Sequence, residues 1–69
     1  MITQYSRVKL TTNKYEKEGG RIGMIGYVIE SHADGKYEVE FSNASGITVA
    51  QFVVSEEDLI LIPEEGPQI

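Results

Sequence analysis

Lys36-Tyr37-Glu38-Val39-Glu40-Phe41-Ser42 alternates without a break. Tyr37, Val39 and Phe41 fall on one side of an extended chain and Glu38, Glu40 and Ser42 on the other, which is the period of two of a half-buried β-strand. Its inner face is apolar and its outer face acidic. Just before it, Ala33-Asp34-Gly35 reads as a hairpin turn, because a tight turn needs positive φ and Gly and Asp adopt it at least cost. The preceding segment, about Met24 to Ser31, is therefore its expected partner strand. Just after it, Asn43-Ala44-Ser45-Gly46 turns the chain into a further strand, Ile47 to Val54. There Ala50, Phe52 and Val54 are expected to face the core, with Val49 and Val53 pointing away.

Working outward, Tyr5 to Leu10 alternates in the same way and predicts a first strand with Val8 and Leu10 inward. A long polar loop, Thr11 to Arg21, follows it, with charges of mixed sign and the flexible pair Gly19-Gly20. Ser55-Glu56-Glu57-Asp58 has the character of a single helical turn, with Ser55 placed to cap its amides and the acids at the positive end of the dipole. Leu59 to Ile62 makes a fifth strand, ended by Pro63, which has no N–H to give to a ladder. Nowhere do apolar residues keep a helical spacing over three turns. The expectation is an all-β, five-stranded, partly open SH3-like barrel spanning residues 1–63, with one helical turn before the last strand and a flexible tail over residues 64–69. Partial closure of the sheet manages the exposed edges of so short a chain. An OB-fold would place a helix between the third and fourth strands, where only Asn43 to Gly46 are available.

With 69 residues and no cysteine, stability must come from one apolar core rather than from disulfides. The lone His32 offers no cluster of imidazole or thiolate ligands for zinc, and Glu56-Glu57-Asp58 lacks the alternating oxygens and turn glycine of a calcium loop. No metal and no cofactor is expected. Met1 to Arg7 shows no basic stretch followed by an apolar run, and no segment approaches the roughly 18 apolar residues of a membrane span, so a cytoplasmic location is expected. Eleven acidic against six basic residues give a net charge of −5, which repels phosphate backbones and anionic lipid and attracts a basic partner.

Gly23-Met24-Ile25-Gly26-Tyr27-Val28-Ile29-Glu30, then Asp34-Gly35-Lys36-Tyr37-Glu38-Val39-Glu40-Phe41, then Ala50-Gln51-Phe52-Val53-Val54 ahead of Asp58-Leu59, resemble a family of small bacterial domains catalogued as domain of unknown function 4926. The resemblance runs from about Val8 to Leu61. It implies an SH3-like or KOW-like barrel without catalytic residues, in a family some of whose members are encoded in toxin and immunity clusters. Met24 and Tyr27 depart from the family pattern, where a small or acidic residue and a threonine are usual, and both enlarge the apolar surface near the second strand.

Glycine-dense Gly19 to Gly26 lacks the Lys-Ser/Thr ending and the following helix of a phosphate cradle. Gly23 and Gly26 are instead expected to allow a tight turn or bulge where the loop enters the barrel. Arg7, Lys9, Lys14, Lys17 and Arg21 concentrate in the first third, but Glu16 and Glu18 interrupt them, a weak footprint for nucleic acid. Glu38 and Glu40, with Glu30 on the neighbouring strand, extend an acidic outer face, which is either a solvated surface that keeps the protein soluble or a binding face; carboxylates on an open face stay ionised and do no acid–base work. His32 has no Ser, Cys or Asp arrangement to join in a triad.

These readings converge on a non-enzymatic protein-binding module. Its expected contact residues are Glu30, Glu38, Glu40, Glu56, Glu57 and Asp58, with Tyr15 and Tyr27 supplying aromatic area at low entropic cost. The most concrete form is an immunity or antitoxin-type protein that covers the basic active site of a nuclease-like toxin. An RNA- or ribosome-associated barrel and an accessory regulator of a neighbouring enzyme are the alternatives.

Overall fold

The computed structural model describes residues 1–63; the expected flexible tail, 64–69, lies outside the described residues. The chain runs β1 (Arg7–Leu10), a 3-10 turn (Glu16–Glu18), β2 (Ile25–His32), β3 (Lys36–Ser42), β4 (Thr48–Ser55), a second 3-10 turn (Glu56–Asp58) and β5 (Leu59–Leu61). All pairings are antiparallel and the sheet order is β4-β3-β2-β1-β5, so the last strand returns to the first and the sheet curls into an open barrel.

The alternation read in β3 is the alternation of the fold. Tyr37, Val39 and Phe41 are buried, and together with Ile2, Val8, Leu10, Val28, Phe52, Val54 and Leu59 they make the core. Val49 and Val53 are exposed, as their phase in β4 requires. Asp34 and Gly35 both take positive φ, 64° and 69°, in the turn between β2 and β3.

Three local expectations are corrected. Tyr5 sits at φ 68°, so the ladder of β1 begins at Arg7 rather than at Tyr5. Gly23, at φ 91°, does make the turn into β2, but Gly26 lies within that strand on its buried face, and the bulge of β2 falls between Val28 and Glu30. Gly26 is needed for contact rather than for turning: a Cβ there would lie 2.6 Å from the Glu40 carbonyl oxygen. Ser55 occupies the cap position without a side-chain cap hydrogen bond. Its own amide donates to the Tyr15 hydroxyl at 3.2 Å and the Glu56 amide to the Gly35 carbonyl at 2.9 Å, so the turn is held by tertiary partners instead.

Candidate functional site

Antiparallel register converts the outward residues of neighbouring strands into rows. Arg7 stands opposite Tyr27, Tyr27 opposite Glu40, and Glu40 opposite Gln51, so one line crosses β1, β2, β3 and β4 on the outer face. The next row places Glu30 opposite Glu38 and Glu38 opposite Val53. Directly opposed like charges repel, and the structure answers that repulsion at Glu38 alone. Gln51 Nε2 donates to Glu38 Oε2 at 2.9 Å, reaching diagonally across the strands, and His32 Nε2 lies 3.1 Å from Oε1. The Gln51 hydrogen bond, with that of His32 second, holds the Glu38 carboxyl below its ordinary value.

Glu40 differs. It is half-buried on the strand, and among the described residues its carboxylate makes no hydrogen bond or ion pair. Beside it Tyr27 is 41% exposed. A free carboxylate, an exposed aromatic ring, an amide and a guanidinium thus lie side by side. At the end of this row the face dips into a cleft of about 460 Å³ lined by Arg7, Met24, Tyr27 and Asn43. Met24 and Asn43 also line an adjoining cleft that reaches Arg21 and Val49.

The other expected contact residues do not join this face. Asp58 is buried, accepting a hydrogen bond from the Tyr15 hydroxyl at 2.7 Å and pairing with Lys14 Nζ at 3.0 Å. That hydrogen bond to Asp58 is the main cause of the raised Lys14 pKa. Tyr15 stacks on Phe52 with ring centroids 5.5 Å apart. Tyr15 and Asp58 therefore fasten the long loop to the barrel. Glu56 accepts from the Tyr37 hydroxyl at 3.0 Å and pairs with the amino terminus of Met1 at 3.2 Å; the Tyr37 bond, first, and the amino terminus hold its carboxyl below the ordinary value. Glu57 alone of this trio is exposed and away from these bonds.

Replacing Tyr15 with Phe should expose the difference between fastening and binding. It removes the hydroxyl that serves both Asp58 and the Ser55 amide, and leaving such groups unsatisfied is expected to cost about 1–2 kcal/mol. Urea denaturation of Tyr15→Phe checks this, and an unchanged midpoint would return Tyr15 to the list of free contact residues.

Sequence reading missed Gln51 and Arg7. The phase of β4 already turned Gln51 outward, but its company with Glu38 and Glu40, and that of Arg7 with Tyr27, depends on register. Among the described residues no three His, Asp or Glu side chains are grouped to hold a metal ion, and no helix is long and apolar enough to cross a membrane. In comparison with known proteins, a family model described as Domain of unknown function (DUF4926) matches residues 4–61. No curated protein and no solved structure matches.

Proposed function

We propose that this chain, which belongs to the DUF4926 family of domains of unknown function, is a non-enzymatic protein-binding module whose outer sheet face meets basic side chains of a partner. The observation that carries the reading is Glu40, a half-buried carboxylate with no partner among the described residues, next to the exposed ring of Tyr27. Partial desolvation strengthens its attraction for an incoming Lys or Arg, and tyrosine beside it supplies the amphipathic area on which interfaces centre. Glu30 and Glu38 extend the negative field along the same face.

Its most concrete form is an immunity or antitoxin-type protein covering the basic active site of a nuclease-like toxin. The net charge of −5 supports this form, since complementary charge accelerates capture and rejects wrong partners. Arg7 on the same face and Arg21 beside the adjoining cleft favour an RNA partner as the second reading. Three carboxylates on that face oppose it.

The test is Glu40→Lys, which points outward and should leave folding stability within about 1 kcal/mol of the parent. Against the partner recovered by pull-down from the source organism or named by the adjacent gene, association should slow about tenfold at low salt, and the deficit should shrink at high salt. Equal association rates for parent and variant would reduce the acidic face to a solubility surface. A recovered partner that is RNA, bound tightly at physiological salt, would promote the second reading.

A further inference from the structure

Two clefts meet beside the outer face, and the residues they share are fixed by bonds of their own. Met24 and Asn43 line both: one cleft, of about 460 Å³, ends at Arg7 and Tyr27, and the other, of about 390 Å³, ends at Arg21 and Val49. Met24 packs against the core, and its sulfur accepts the Arg21 amide at 3.0 Å. The thioether is thus held between the clefts. Asn43 Oδ1 accepts the Ser45 amide at 2.9 Å and the Ile47 amide at 3.1 Å, which orients the carboxamide and leaves Nδ2, a group that can only donate.

The charges around this groove are of one sign. Among the described residues neither Arg7 nor Arg21 forms an ion pair, and no carboxylate lines either cleft. Lys9, opposite Ile25 of the first cleft, stands two residues along β1 from Arg7. Glu40, two strands from Arg7 across Tyr27, and Glu18, one residue before Gly19 of the second cleft, flank the groove without lining it. A chain of net charge −5 therefore keeps one place made of donors with an apolar floor.

We propose that this groove takes a peptide segment carrying one carboxylate beside an apolar side chain, with the carboxylate on Arg7 and Asn43 Nδ2 and the apolar group against Met24 and Val49. The inference deepens the protein-binding reading and rests on it for the class of ligand: the partner that offers Lys or Arg to Glu40 also offers an Asp, a Glu or a chain-terminal carboxylate here. Arg7 is the receiving cation because it is half-buried on a strand, where partial desolvation strengthens the pairing, whereas Arg21 is exposed on the loop. Its guanidinium fork matches a carboxylate with two parallel bonds. Methionine adapts to apolar groups of varied shape, and Val49, 50% exposed, supplies the opposite wall. A nucleic-acid strand brings a charge with every nucleotide against the net −5 of the chain, with Arg7, Lys9 and Arg21 to answer it, so charge favours the single carboxylate.

The test is a titration of the full, nitrogen-15-labelled chain with short peptides, followed by amide chemical shifts. Acetyl-Gly-Gly-Asp-Leu-amide carries an internal carboxylate and acetyl-Gly-Gly-Gly-Leu a terminal one, so the pair separates the two sources. At least one should give saturable shifts at Gly23, Met24, Asn43 and Val49 with a Kd of about 1 mM or tighter. Acetyl-Gly-Gly-Asn-Leu-amide, without the charge, should bind about tenfold more weakly, and Arg7→Gln should cost the acid peptides about the same factor. Arg21→Gln should cost less than Arg7→Gln. Arg7→Gln is expected to keep the parent's far-UV circular dichroism, and Arg7→Lys, which keeps the charge and loses the fork, gives the same reading should it not. Absence of shifts in the groove with both acid peptides up to about 5 mM, equal binding of the Asn peptide, or binding indifferent to Arg7 would each overturn the proposal. Tighter binding of a short oligouridylate to these same residues would overturn it in favour of RNA. Glu40→Lys removes no groove contact and should bind the acid peptides at least as well as the parent, so failure of the groove and failure of the acidic face are read separately.

Discussion

Phe41→Ala should leave most molecules unfolded at room temperature. Phe41 is fully buried at the centre of β3, and its ring stacks on that of Phe52 with centroids 4.9 Å apart. Phe52 in turn carries Tyr15, so one ring supports a stack that runs from the sheet to the long loop. Deleting a buried phenylalanine costs about 3–5 kcal/mol, from lost transfer energy and from the cavity left behind. A chain of 69 residues is expected to have a total stability of only about 3–10 kcal/mol. The loss therefore rivals the whole. Thermal and urea denaturation followed by circular dichroism check this, and a melting temperature within a few degrees of the parent would show that the inner face of β3 is not the core.

Gly26→Ala should be the most damaging single-methyl addition, at about 2–3 kcal/mol. The added Cβ would meet the Glu40 carbonyl oxygen at 2.6 Å, Phe41 Cδ1 at 2.8 Å and Val39 Cγ1 at 2.9 Å. Two of these are side-chain atoms that can shift a little. The carbonyl belongs to β3 and can retreat only by parting β3 from β2. Gly23→Ala is the control, because its Cβ would meet nothing within 4 Å while its φ of 91° strains any L side chain. That strain costs about 1 kcal/mol. Urea midpoints of the two variants separate contact from conformation, and a smaller loss at Gly26 than at Gly23 would contradict the packing of β2 on β3. Since the clash falls on the backbone of Glu40, Gly26→Ala is also expected to displace the outer-face row.

Much of this fold is local and could be read along the chain. Which side chains of β3 and β4 face inward follows from period two, because an extended backbone must send successive residues to opposite faces. The turn at Asp34-Gly35 follows from the low cost of positive φ at those residues. Gly26 shows where local reading stops. Its need for a hydrogen atom in place of a side chain comes from the Glu40 carbonyl on another strand, and nothing within β2 announces it. The candidate site divides along the same line.

That Glu38 and Glu40 point outward is readable from alternation, and their acidic character from composition, whereas the outward face of Tyr27 is fixed by its pairing with Glu40. By sequence Tyr15 and Asp58 belong with them, because polar residues in a loop and before a strand are usually solvated. Only the fold brings them together, 43 positions apart, as a buried hydroxyl–carboxylate pair. The line from Arg7 through Tyr27 and Glu40 to Gln51 is likewise a product of register. The face on which a residue lies is thus set by its own strand, whereas its neighbours there are set by how strands are offset against one another, a choice made by the closure of the whole core.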